Sequence, residues 1–147
     1  MTSDPAFSDT EPTCPSLRAA TRLVMLAAGL HLLAVGFHAA AHHLAEVPNT
    51  PGQIAFIVLV VILAPLWALV MTWRGLVRRA ALLLGAALAG SLVFGGVFHY
   101  LLHSPDLVSA VTGHGSGLFA TTSGILAVAD VVGLVLSWLA WRWAGQG

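Results

Sequence analysis

Seven histidines stand in a chain that carries only six arginines and six acids besides, and they hold most of its capacity for chemistry. Two clusters recur, His38-x-x-x-His42-His43 and His99-x-x-x-His103, each near the end of a long apolar run. On a helix, residues four apart lie on one face. His38 and His42, and likewise His99 and His103, can then direct two pairs of imidazoles toward one point. Helix bundles build metal and haem sites in this way. Glu46 continues the first series by another four residues, and Asp106 follows His103 by three. Imidazole with carboxylate suits zinc, copper, nickel or iron, whereas calcium and magnesium require more oxygen ligands. With no cysteine nearby, copper(I) and iron–sulfur sites are disfavoured. The expected ligands are His38, His42, His99 and His103, with Glu46 as a further metal ligand. His43 sits about 100° around the helix from His42 and is expected, with Asp106 and His114, to support the ligands rather than join them.

These residues need elements to position them, and composition says which kind. With 58% hydrophobic and 8% charged residues and no lysine, the chain does not read as a water-soluble domain. Four runs reach the roughly 20 apolar residues a bilayer span requires, at about residues 18–45, 54–73, 80–103 and 117–143. The expected fold is an all-α integral membrane protein, a four-transmembrane-helix antiparallel bundle. Pro48-Asn49-Thr50-Pro51-Gly52 breaks the first two runs, and Arg74 to Arg79 links the second to the third. Links this short make sequential helices antiparallel. The longer loop from Ser104 to Ser116 carries Asp106 and His114 and is the one suited to act as a lid.

All six arginines (Arg18, Arg22, Arg74, Arg78, Arg79 and Arg142) fall on the side of the two termini and the middle loop. The positive-inside rule then makes both termini cytoplasmic and places the histidine clusters at the outer face of the cell membrane. The five tryptophans lie in the inner half or at its boundary, where amphipathic rings anchor helices. A competing reading takes Arg18, the run from Leu23 to Phe37 and Ala39-Ala40-Ala41 as a signal peptide with an A-x-A site. Residues 1–16, with three prolines and little apolar content, are expected to form a disordered cytoplasmic tail. Cys14 in that tail has no intramolecular disulfide partner in the sequence.

Deeper in the first span, His31 precedes His38 by seven residues and lies on nearly the same stripe. Asp130, at the midpoint of the fourth span, has about the same depth, and an ionisable residue there requires a partner. His31 and Asp130 are the expected pair, either as an inner relay or as a polar lock on helix register. Ser116, Ser123, Asp130 and Ser137 recur every seven residues and give the fourth helix a polar seam. Gly85, Gly90, Gly95, Gly96, Gly124 and Gly133 are a close-packing composition. Gly95 and Gly96, one turn before His99, would also make room for a porphyrin, so haem b held by one histidine from each of the first and third helices is the alternative cofactor.

The pairing of H-x-x-x-H with H-x-x-x-H-H resembles the histidine boxes of membrane di-iron desaturases and hydroxylases. Those enzymes are larger, carry more boxes and hold them on the cytoplasmic side, whereas these boxes face outward, so the chain is not assigned to that family. Walker, Rossmann, G-x-S-x-G and H-E-x-x-H signatures are absent, and there is no nucleic-acid footprint. Three functional readings follow: a transition-metal-binding membrane protein engaged in metal transfer or redox work; a haem b electron-transfer or quinone-linked subunit; and a non-catalytic, pH-responsive membrane subunit. The expected partners are the lipid bilayer and further copies of the chain or a larger membrane complex.

Overall fold

The computed structural model describes residues 15–145. Cys14 and most of the expected tail lie outside the described residues, while Pro15 and Ser16 already belong to the first helix. Of the described residues, 81% are helical. Its four long helices are α1 (Pro15–Leu44), α2 (Pro51–Trp73), α3 (Val77–Leu101) and α4 (Ser116–Trp143), each long and apolar enough to cross a membrane. Within them, Ile57–Leu63 of α2 and Val97–Leu101 of α3 are π-helical.

The helix ends follow from local chemistry. Past Leu44, Glu46 takes a positive φ of 51° and the Val47 N–H bonds back to the His42 carbonyl at 3.1 Å. That closes the last turn in the manner of a left-handed C-cap, and Pro48 prevents its continuation. Thr50 caps α2 through a reciprocal box. Its hydroxyl accepts from the Gln53 N–H at 3.3 Å, and the Gln53 side-chain oxygen accepts from the Thr50 N–H at 2.7 Å. Pro51 occupies the first turn, where a missing N–H costs nothing.

Side-chain pairings set the helix directions. His31 meets Asp130 and His38 meets Thr122, so α1 and α4 run antiparallel. Phe56 stacks on Phe94 with centroids 4.7 Å apart, and Val60 lies against Gly90, which makes α2 and α3 antiparallel. Gly85 faces Ser137 and Leu88 faces Gly133, and the same relation follows for α3 and α4. All four helices alternate in direction. The bundle therefore has one end holding the histidine clusters and another holding the arginines.

The distribution of side chains is the inverse of a water-soluble bundle. Leu33, Phe37, Leu59, Val93 and Val128 are exposed, while the interior of the arginine half is made of small residues such as Ala20, Ala27, Ala28, Ala80 and Ala81 around Leu84 and Leu88. His31, Ser123, Asp130 and Ser137 are buried. An apolar exterior of this extent suits hydrocarbon rather than water. Close helix approach through small residues supplies packing where the hydrophobic effect between helices is absent. At the arginine end, Arg78 lies 5.2 Å from the Trp141 ring and Arg142 lies 4.9 Å from the Trp138 ring, both cation–π contacts.

Candidate metal centre

Three histidines converge near the histidine end: His38 and His42 from α1 and His99 from the π-helical turn of α3. Their potential ligand nitrogens all lie within 4.8 Å of one another. His38 and His99 are buried and His42 is half-buried. Phe119, fully buried on the first turn of α4, packs against all three rings at centroid distances of 5.3, 4.8 and 5.3 Å for His38, His42 and His99. It forms an apolar wall that holds the imidazoles together.

The hydrogen bonds around the rings decide which nitrogens are available. His38 Nδ1 lies 3.1 Å from Thr122 Oγ1. The Thr122 hydroxyl hydrogen is taken by main-chain carbonyls, Leu118 at 2.8 Å and Phe119 at 3.2 Å, so Thr122 accepts and His38 donates from Nδ1. His99 Nδ1 lies 3.0 Å from the Asp106 carbonyl, which only accepts, so His99 also donates from Nδ1. With both Nδ1 positions committed, the two rings turn their Nε2 atoms toward each other. Those two atoms are 3.1 Å apart. Two Nε2 lone pairs facing at this distance repel unless a proton or a metal ion lies between them, and ligand nitrogens around a tetrahedral ion with bonds of 2.0–2.1 Å are separated by about 3.3 Å.

His42 offers a third nitrogen. Its Nδ1 is buried and bonds to nothing among the described residues, while the ring interacts with the Val47 backbone. Asp106 adds charge to the same place. One carboxylate oxygen accepts from the Gln53 side-chain N–H at 2.5 Å, and the other is buried without a partner. That carboxylate and the three rings line one cavity of about 170 Å³ whose remaining wall is largely apolar, with Phe94 and Leu126 among its members. A buried unpaired nitrogen, a buried unpaired carboxylate oxygen and two opposed Nε2 atoms form a donor set matched to a cation.

The expected site residues fall in different places. His103 does not join the cluster. Helix α3 ends at Leu101, Leu102 is extended, and His103 is exposed beyond it. The i, i+4 argument assumes about 100° per residue, and the π turn, closed by the Leu102 N–H on the Val97 carbonyl at 2.7 Å, breaks that phase. Glu46 is exposed in the turn after α1, and His43 and His114 are exposed as well. Asp106 is buried and holds His99 through its main chain. His31 Nδ1 lies 2.6 Å from Asp130 Oδ1 at the middle of the bundle.

Gln53 and Thr122 touch the candidate site and are not among the residues expected from the sequence. Thr50-Pro51-Gly52-Gln53 is a capping-box signature, and that box aims Gln53 at Asp106. Thr122 is one residue before the polar seam and looks like an ordinary threonine in a span. The haem alternative meets a geometric obstacle. A porphyrin iron held between His38 and His99 would separate the two nitrogens by about twice a metal–nitrogen bond, roughly 4 Å, with the macrocycle between them. At 3.1 Å the two rings leave no such space. Comparison with family models, with curated proteins and with solved structures finds no match for this chain.

Proposed function

We propose that this protein is a multi-pass protein of the cell membrane, with both termini cytoplasmic, that captures a transition-metal ion at its outer face through His38, His42 and His99. The observation that carries the reading is the approach of two Nε2 atoms to 3.1 Å, each turned inward by a hydrogen bond at the other nitrogen of its ring. Metal-ligating histidines are oriented this way, by an oxygen acceptor on the distal ring nitrogen. Three imidazoles with a carboxylate nearby and no thiolate favour zinc, with copper(II), nickel or iron(II) as competitors.

Three protein ligands leave one coordination position, which the cavity keeps accessible. An ion so held can exchange with a carrier or bind a further small ligand, which is what metal capture for transfer requires. Asp106 supports this role electrostatically. Its carboxylate balances part of the charge of the ion, and Gln53 fixes it in place. The Phe119 wall excludes water from one side of the rings and strengthens every interaction inside.

Elemental analysis by plasma mass spectrometry on untagged protein, purified without chelator, tests the proposal. Near-stoichiometric metal is expected in the wild type and in His103→Ala, with loss in His38→Ala and His99→Ala. A wild type that stays metal-free after reconstitution with each ion, or a His99→Ala protein that keeps full stoichiometry, would overturn it. A metal-free protein whose helix packing still changes between acid and neutral solution would instead be a pH-responsive membrane subunit.

A further inference from the structure

His31 and Asp130 are buried at 0% and 1% exposure, below the three-histidine cluster and apart from it. His31 Nε2 lies 2.8 Å from the Val61 carbonyl. Val61 lies in the π-helical segment of α2, and Pro65, four positions on, has no N–H to offer that carbonyl. A carbonyl has no hydrogen, so His31 must donate from Nε2. The 2.6 Å contact between Nδ1 and Asp130 Oδ1 then holds one more hydrogen, on nitrogen or on oxygen. The pair thus contains a single shared proton.

The pair is buried, and a cavity adjoins it on one side. Asp130 lines a cavity of about 220 Å³ that reaches up to His99, with Ser91 and Ser123 on its walls. At roughly 30 Å³ per water, several waters fit there, and the two hydroxyls, the imidazole and the carboxylate provide polar partners. Toward the arginine end the path is closed. Leu88 fills the notch at Gly133, where an added Cβ would lie 2.7 Å from its Cδ1, and the packed core around Leu84 follows. The cavity thus lies on the histidine side of the pair.

We propose that the His31–Asp130 pair is a proton-binding site coupled to metal capture: when a divalent cation occupies the histidine cluster, the pair releases its shared proton through the cavity toward the histidine end. This rests on the cluster binding metal as proposed above. The N–H or O–H bond of the shared proton breaks, its electron pair stays on the pair, and the proton leaves with cavity water. The pair moves from net zero to one negative charge, which offsets part of the charge entering above it in a medium of low dielectric. The titratable groups facing the pair are His99 and Tyr100 of α3 on the shared cavity and His38 one heptad above on α1; α2 carries no titratable side chain and faces the pair with the Val61 carbonyl.

The test is to titrate zinc into detergent-solubilised full-length protein in a weakly buffered indicator solution, counting bound zinc and released protons in parallel. Asp130→Asn keeps the shape of the pair, because the amide N–H can donate to His31 Nδ1, and it has no shared proton to lose. It is expected to bind zinc with unchanged stoichiometry while releasing about one proton fewer per ion than wild type. His31→Gln, a second variant should the first fold poorly, is expected to change the proton count as well, because the shared proton has lost one of its two sites. Equal proton counts in wild type and variants, with zinc bound in all, would overturn the coupling and leave the metal site standing. No zinc bound by the wild type would overturn both. An aspartate carboxyl band that changes in the wild-type infrared difference spectrum with and without zinc, and is missing in Asp130→Asn, is the independent signature expected.

Discussion

The hydroxyl of Thr122 has one hydrogen, and the main chain of α4 takes it. That detail makes His38 a donor at Nδ1 and turns its other nitrogen toward His99. Thr122→Val keeps the shape and removes the acceptor. It is expected to weaken metal affinity about 10- to 100-fold, the usual cost of losing such a support, as read by competition with a chromogenic chelator. Thr122→Ser should restore most of the loss. His103→Ala and His114→Ala, both exposed, should leave affinity unchanged in the same assay. The types His38, His42 and His99 were legible in the sequence because histidine in a span is costly without a purpose. The roles of Thr122 and Gln53 were not, since a hydroxyl or an amide gains its function here from what lies across a helix interface.

At the scale of elements, departures from ideal helix geometry select the site. The π turn at Val97–Leu101 sends His99 into the cluster and His103 out of it. In α2, the π-helical segment presents the Val61 carbonyl to His31. The loop before α4 is held at Gly115, whose φ is 84° and whose added Cβ would lie 3.1 Å from the Leu44 and Ala45 backbone at the end of α1. Gly115→Ala therefore meets both a disfavoured conformation and main-chain atoms that cannot rotate away. A loss of about 1–2 kcal/mol is expected for the conformation alone, seen as a lower melting temperature in detergent. Gly117→Ala, with open space and an ordinary helical φ, is the matched control and should be neutral or slightly stabilising. Helix number and approximate position were legible from apolar run length. The ends moved by up to a turn, because the capping box at Thr50 and the early start at Pro15 lie outside the apolar runs.

For the whole molecule, the alternation of four helices gathers every arginine at one end and the histidine cluster at the other. The proposed orientation, with the cluster outward, rests on the positive-inside rule. Single cysteines placed in a Cys14→Ser background check this directly. Ser109→Cys is expected to react with a membrane-impermeant maleimide in intact cells, and Gly75→Cys only after permeabilisation. The reverse pattern would put the metal centre on the cytoplasmic side and end the proposal of outer-face capture. A bundle of this size with so apolar a surface also fits association with further copies of itself or a membrane partner, which crosslinking in native membranes would register.

Composition, run length and the placement of arginine and tryptophan by themselves determine that the chain is helical, has four bilayer-length segments and has an asymmetric charge distribution. Those properties are sums over many residues and survive local error. The depth match of His31 and Asp130 is legible for a related reason, since rise along a helix is a linear measure and errors of a residue or two shift it only slightly. Which histidines meet is another matter. Convergence at 3.1 Å depends on angular phase, and one π turn or one missing N–H shifts that phase by more than the tolerance of a metal ion. Only the tertiary structure could exclude His103, enlist Thr122 and Gln53, and show that the two buried polar sites share the wall of one cavity, because each of these is a relation between helices rather than along one.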